Sequence, residues 1–106
     1  MAGQHDLGDI MRQAQKMKRD MMRIQEELAE RVVTGTAGGG MVTALVNGSQ
    51  ELMKLEIKPE VVDPDDLDML SDLICAAVND GVKKAKALAE KEIQKATGGM
   101  LPPGIL

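Results

Sequence analysis

The 106-residue chain contains no phenylalanine, tyrosine or tryptophan, one cysteine and one histidine. Without aromatic rings its core must be assembled from Leu, Ile, Val, Ala and nine methionines, whose unbranched thioether side chains fill irregular gaps but specify geometry weakly. Extra burial by self-association is therefore expected. The same absence argues against single-stranded nucleic acid as a ligand, because stacking of bases on aromatic rings supplies much of that affinity. A single cysteine excludes an internal disulfide and fits a reducing compartment. No apolar run approaches the ~18 residues of a membrane span, and no basic-then-apolar leader opens the chain. The expectation is a soluble, cytoplasmic protein with no membrane partner.

Catalytic parts are equally scarce. Cys75 as a nucleophile would need a histidine, and the only one is His5, near the end of the chain. Gly38-Gly39-Gly40 has no helix after it and no Lys-Ser or Lys-Thr to close a phosphate cradle, so it reads as a turn. The acids Asp63, Asp65, Asp66 and Asp68 are accounted for by helix capping and compensation of the helix dipole without a metal. No catalytic residue, metal ligand or small-molecule substrate is expected.

What is present is organised around residues 32–57. Val42, Ala44 and Val46 alternate with period two, Met53, Leu55 and Ile57 return, and Asn47-Gly48 lies between them as a hairpin signal. A two-residue type I′ turn there would pair Val46 with Ser49, Ala44 with Glu51 and Val42 with Met53, placing both apolar sets on one face. Val32 to Ala37 reads as a third strand joined through the three glycines. Met41, Leu45 and Leu52 make a second apolar surface on the opposite face.

Helices flank this sheet. Asp6 can cap a helix over residues 6–31, in which Leu7, Ile10, Ala14, Met17, Met21, Ile24 and Leu28 recur at spacings of three and four. Such a narrow seam wants another helix. On the opposite side Arg12, Lys16, Arg19 and Arg23 form one row. Asp63-Pro64 marks a second helix start, and residues 64–97 continue helically until Gly98-Gly99. Its first half is apolar enough to lie on the sheet; its second half narrows to Val82, Ala85, Leu88, Ala89 and Ile93, with Lys83, Lys84, Lys86, Lys91 and Lys95 around it. Residues 98–106 form an irregular tail in which Met100, Leu101, Ile105 and Leu106 are an odd composition for a solvated segment.

The net charge of −4 hides a segregation. Residues 32–82 hold nine acids against Lys54 and Lys58, whereas five cations between Arg12 and Arg23 meet only Asp20, and five lysines from Lys83 onward meet only Glu90 and Glu92. Length decides the architecture. Helices of about 50 Å and 37 Å outreach strands of about 24 Å, so their overhanging seams must pack on each other, on a second copy, or both. The expected fold is α+β, a single domain of order α-β-β-β-α. Its three-stranded antiparallel sheet is flanked by two long helices that project as arms from a homodimer.

Several segments together resemble the YbaB/EbfC family of bacterial nucleoid-associated proteins. They are Met11-Arg12-Gln13-Ala14-Gln15-Lys16-Met17, Val33 to Gly40 with Val42, Asn47-Gly48, Ile57 with Pro59, Asp72-Leu73 through Ala76-Ala77 with Asn79-Asp80, and Gly99 with Pro102-Pro103-Gly104. The resemblance covers nearly the whole chain. It implies a tweezer-shaped homodimer that binds double-stranded DNA in the nucleoid, possessing neither catalytic activity nor a cofactor. Two features depart from the family pattern: Lys18-Arg19 makes the first helix more basic, and Gly81 stands where a helix-favouring alanine is usual. Gly81 costs about 1 kcal/mol of helix stability and marks either a close contact or a bend. The candidate DNA-contacting residues are Arg12, Lys16, Arg19 and Arg23 on one arm and Lys83, Lys84, Lys86, Lys91 and Lys95 on the other, touching phosphates rather than base edges. The alternative is a protein-interaction module in which the seam from Leu7 to Leu28 docks a partner helix and the charges only solubilise.

Overall fold

Asp6 sets the start of the first helix, its carboxylate accepting the backbone N–H of Asp9 at 2.8 Å. From there α1 runs over Leu7–Glu30, and Arg31 turns the chain extended into the β-branched pair Val32-Val33. The computed structural model describes residues 6–98. Three strands follow, β1 Val32–Ala37, β2 Val42–Asn47 and β3 Leu52–Ile57, paired antiparallel in the order β1-β2-β3. A short 3₁₀ turn at Pro59–Val61 leads to α2 over Leu67–Thr97. The order α-β-β-β-α is the expected one.

The β2–β3 register differs from the two-residue turn expected at Asn47-Gly48. Val42 pairs with Ile57 and Ala44 with Leu55, with an irregularity between Leu45 and Val46. The connection is longer because Asn47 organises it: its side-chain oxygen accepts the N–H groups of Ser49 and Glu51 at 2.9 and 3.0 Å, and Gln50 takes the positive φ of 67°. Gly48 serves another purpose. Its N–H donates to the carbonyls of Leu28 and Arg31, and a Cβ there would lie 2.4 Å from the Leu28 oxygen. Only glycine lets the hairpin close on the end of α1. The register differs from the expected one by four residues, an even number, so Leu55 and Ile57 still share a face with Ala44 and Val42.

Val42, Ala44 and Val46 are fully buried, as their alternation required, together with Ala77 and Ala85 of α2. The helix crosses the sheet at a glycine pair. A Cβ on Gly35 would lie 2.2 Å from both the Ala77 carbonyl and the Gly81 nitrogen. Gly81 is thus a close contact, and α2 runs unbroken through it. The helix covers β1 and β2, leaving Met53 and Ile57 of β3 exposed.

α2 starts later than the expected residue 64. Asp63 and Pro64 form a turn in which the Asp63 carboxylate accepts the Asp65 N–H, and Asp66 caps the helix by accepting the N–H of Met69. At the other end Gly98 takes the left-handed conformation and its N–H returns to the Gln94 carbonyl. Met1 to His5 and the apolar tail residues Met100, Leu101, Ile105 and Leu106 lie outside the described residues.

Beyond the sheet the overhanging helices pack on each other. Ile24 and Leu28 of α1 are buried against Ala89 and Ile93 of α2, flanked by Met21 and Leu88. The two helices therefore make one composite arm, not two separate ones. The molecule is 76 Å long and only 20 by 16 Å across.

Candidate nucleic-acid interface

Along α1 the residues buried on α2 are spaced at three and four, and this fixes where the cations lie. Arg12, Lys16, Arg19 and Arg23 fall off that strip and all are exposed, Lys16 at the rim of a groove that Met17, Met21 and Ile24 form with Ala96 and Thr97 of α2. Three of the four are paired within the helix itself. Arg12 meets Asp9, Lys16 donates to Asp20 at 3.0 Å, and Arg23 lies 3.8 Å from Asp20 and 3.5 Å from Glu27. The row is more interleaved with acid than the sequence count suggested, because Asp9 and Glu27 fall just outside the counted window. The hydrogen bond from Lys16, helped by the nearby Arg23 and Arg19 charges, holds the Asp20 carboxyl below its ordinary range. Exposed pairs of this spacing are weak in water, so a phosphate can take over the cation at small expense.

On α2 the lysines divide. Lys84 is engaged by the body: its ammonium donates to the Thr34 carbonyl at 3.1 Å and pairs with Asp80 at 3.0 Å. Lys95 pairs with Glu92, which also meets Arg31 at the base of the arm. Lys83, Lys86 and Lys91 are exposed and have no ion-pair partner among the described residues, like Arg19 and Lys18 on α1. Lys18 lies outside the row because it stands one position, about 100°, round the helix from Arg19.

A second group of acids is held apart from the arm. Asp63, Asp65, Asp66 and Asp68 lie at the N-terminal end of α2 and are exposed. Along the helix, Asp68 and Lys83 are separated by roughly 22 Å at ~1.5 Å per residue. That exceeds two Debye lengths at physiological ionic strength, so the acidic end does not cancel the field of the arm. No three His, Cys, Asp or Glu side chains gather into a metal site among the described residues. Cys75 is exposed on α2, and the three glycines at 38–40 all take positive φ in the β1–β2 turn. No described helix is long and apolar enough to cross a membrane.

Comparison with known proteins gives these features a context. Residues 3–100 match the model of the YbaB/EbfC DNA-binding family. A nucleoid-associated protein of Acetivibrio thermocellus is 52% identical over 90% of this chain and 84% of its own. One from Alkaliphilus metalliredigens is 48% identical over 99% of this chain and 92% of its own. Among solved structures, an uncharacterized protein from Helicobacter pylori superposes with a TM-score of 0.72 at 25% identity, over 93% of this chain and all of that one.

Proposed function

Because the chain belongs to the YbaB/EbfC DNA-binding family, we propose that it is a nucleoid-associated protein that binds double-stranded DNA through the phosphates, tolerating many sequences, and compacts the DNA it binds or alters its expression. The observation that carries this reading is the row Arg12, Lys16, Arg19 and Arg23 on the outer side of an arm that stands clear of the acidic end of the body. Lys83, Lys86 and Lys91 add exposed cations on α2. A homodimer would present two such arms to one duplex. Its contact belongs on the β3 side, where Met53 and Ile57 are exposed large apolar residues. No side chain among these is posed as a base reader, so affinity comes from counterion release. Lys84, whose ammonium donates to the Thr34 carbonyl and pairs with Asp80, would have to leave both to reach a phosphate.

The test is a fluorescence-anisotropy titration with random duplex across a salt series, on the natural chain and on a variant with Arg12, Lys16, Arg19 and Arg23 all changed to glutamine. The natural chain is expected to lose affinity steeply with salt. The variant should bind about three orders of magnitude more weakly at 0.1 M salt, since each phosphate contact contributes a slope of about 0.9. Sedimentation should show an unchanged oligomer. Binding that ignores salt, or an unaltered slope in the variant, would refute the proposal and favour the protein-interaction module instead.

A further inference from the structure

Opposite the strip that packs on α2, α1 carries a third face. Gln15 stands about 180° round the helix from the buried Ile24. Gly8 and Met22 lie within about 20° of Gln15, which makes one file of residues without charge. Arg12 and Arg19 stand about 60° and 40° to one side of that file, Lys18 and Met11 about 60° and 40° to the other. All are exposed, Met11 to 51% and Met22 to 52%. Asp9 and Asp20, the acids between Gly8 and Arg23, stand at least about 120° away from Gln15. Glu26, about 20° off the file, ends the acid-free stretch.

We propose that this face lies in the major groove of the bound duplex, with Gln15 towards the base edges, Arg12 and Arg19 on the phosphates of one wall and Lys18 on those of the other. The placement rests on the duplex binding proposed above. Width permits it: a helix of about 10–12 Å with its side chains fits a groove about 12 Å wide, and α2, on the far side, stays outside. From Gly8 to Met22 is about 21 Å along the helix, the rise of about six base pairs. The layout of charge favours it too. Cations on both flanks of a neutral file suit the phosphates of two strands, whereas a merely solvated face needs no uncharged middle. Lys18 and Arg19, one on each flank, have no ion-pair partner among the described residues to give up. Over the bases, a glutamine can bond N6 and N7 of adenine together, and methionines can make apolar contact with thymine methyl groups. Counterion release still supplies the affinity. Gln15, the one hydrogen-bonding side chain in the file, adds a mild preference for A·T pairs.

Fluorescence anisotropy with two random duplexes tests this, one of them carrying 7-deazaadenine in place of every adenine. That base replaces the N7 acceptor in the major groove by a C–H and leaves pairing alone. At 0.1 M salt the natural chain should bind the substituted duplex about fivefold more weakly, with the same salt slope on both. Gln15→Ala, an exposed change that far-UV circular dichroism should show to be folded, should bind the two duplexes equally. Lys18→Gln should lower the slope by about 0.9, and Lys58→Gln on the body should leave it alone. If the natural chain binds both duplexes equally, or the difference survives Gln15→Ala, the groove placement is overturned while salt-dependent binding still upholds the phosphate contact. An unaltered slope in Lys18→Gln, or one lowered as much in Lys58→Gln, would overturn it as well. Absence of salt-dependent binding by the natural chain would overturn both the placement and the DNA binding beneath it.

Discussion

Around Gly35 and Gly81 two backbones touch, whereas along the arm α1 and α2 meet through a single file of side chains. In the body, closeness itself is the stabilising device: helix and strand approach until a Cβ would lie 2.2 Å from main-chain atoms, and Asp80 and Lys84 reach over the strand edge to the Thr36 N–H and the Thr34 carbonyl. Such a contact maximises dispersion over a small area and tolerates almost no substitution. The arm has the opposite character. Ile24 and Leu28 against Ala89 and Ile93 bury one narrow strip, and every other side of the helices is free to carry charge. A protein without aromatic residues can thus obtain rigidity where it needs a platform and slenderness where it needs a projecting charged surface.

The largest effect expected from this contrast is at Gly35. Strand propensity alone favours valine there by up to about 1 kcal/mol, yet the approach of Ala77 and Gly81 leaves no room for any side chain. Gly35→Val should lose at least about 3 kcal/mol, read by urea unfolding, and much of the variant should be unfolded on expression. A folded, stabilised Gly35→Val protein would break the comparison. Next comes Leu28→Ala, which deletes a side chain buried to 4% exposure in the strip joining the helices and should cost about 2–4 kcal/mol. Here hydrogen exchange sharpens the contrast. The amides of Ala89 to Ile93 should lose protection, while those of Val42, Ala44 and Val46 keep it. Uniform loss across both sets would make body and arm one cooperative unit.

Much of this was legible in the chain, and the parts that were not share a cause. The seam of α1, the period-two burial of Val42, Ala44 and Val46, and the Asp6 cap follow from spacing and local hydrogen bonding, which sequence encodes directly. The turn after Asn47 did not, because Gly48 was chosen for an approach to the Leu28 carbonyl that is distant in sequence and not for its φ. Gly35 gave no signal at all, since a glycine in a strand has many meanings until the helix above it is placed. Among the cations, Lys84 looked the same as Lys83 in one dimension. Only the position of β1 beneath α2 sets it apart.

The smallest expected effect is a difference in acid response between the two regions. The N–H of Thr36, followed by the ammonium of Lys84, holds the Asp80 carboxyl below the 3.8 of a free aspartate. In the arm, Asp20 is lowered chiefly by Lys16. A carboxyl whose folded pKa is depressed adds stability that is fully present above the unfolded value and is lost as pH falls from about 4 through the folded one. The consequences differ with what each carboxylate ties down. Asp80 joins α2 to a strand 44 residues away in sequence, so its protonation should release the outer edge of β1. Asp20 bonds only within its own helix, and its protonation should leave tertiary structure alone. Asp80→Asn should therefore flatten the acid limb of the unfolding curve below pH 4 and expose the Thr36 amide to exchange at neutral pH, whereas Asp20→Asn should flatten the limb less and leave the Thr36 amide protected. Equal acid sensitivity in the two variants would mean that the Asp80 bridge contributes no more than a surface pair, and that the glycine contact alone fixes the strand beneath the helix.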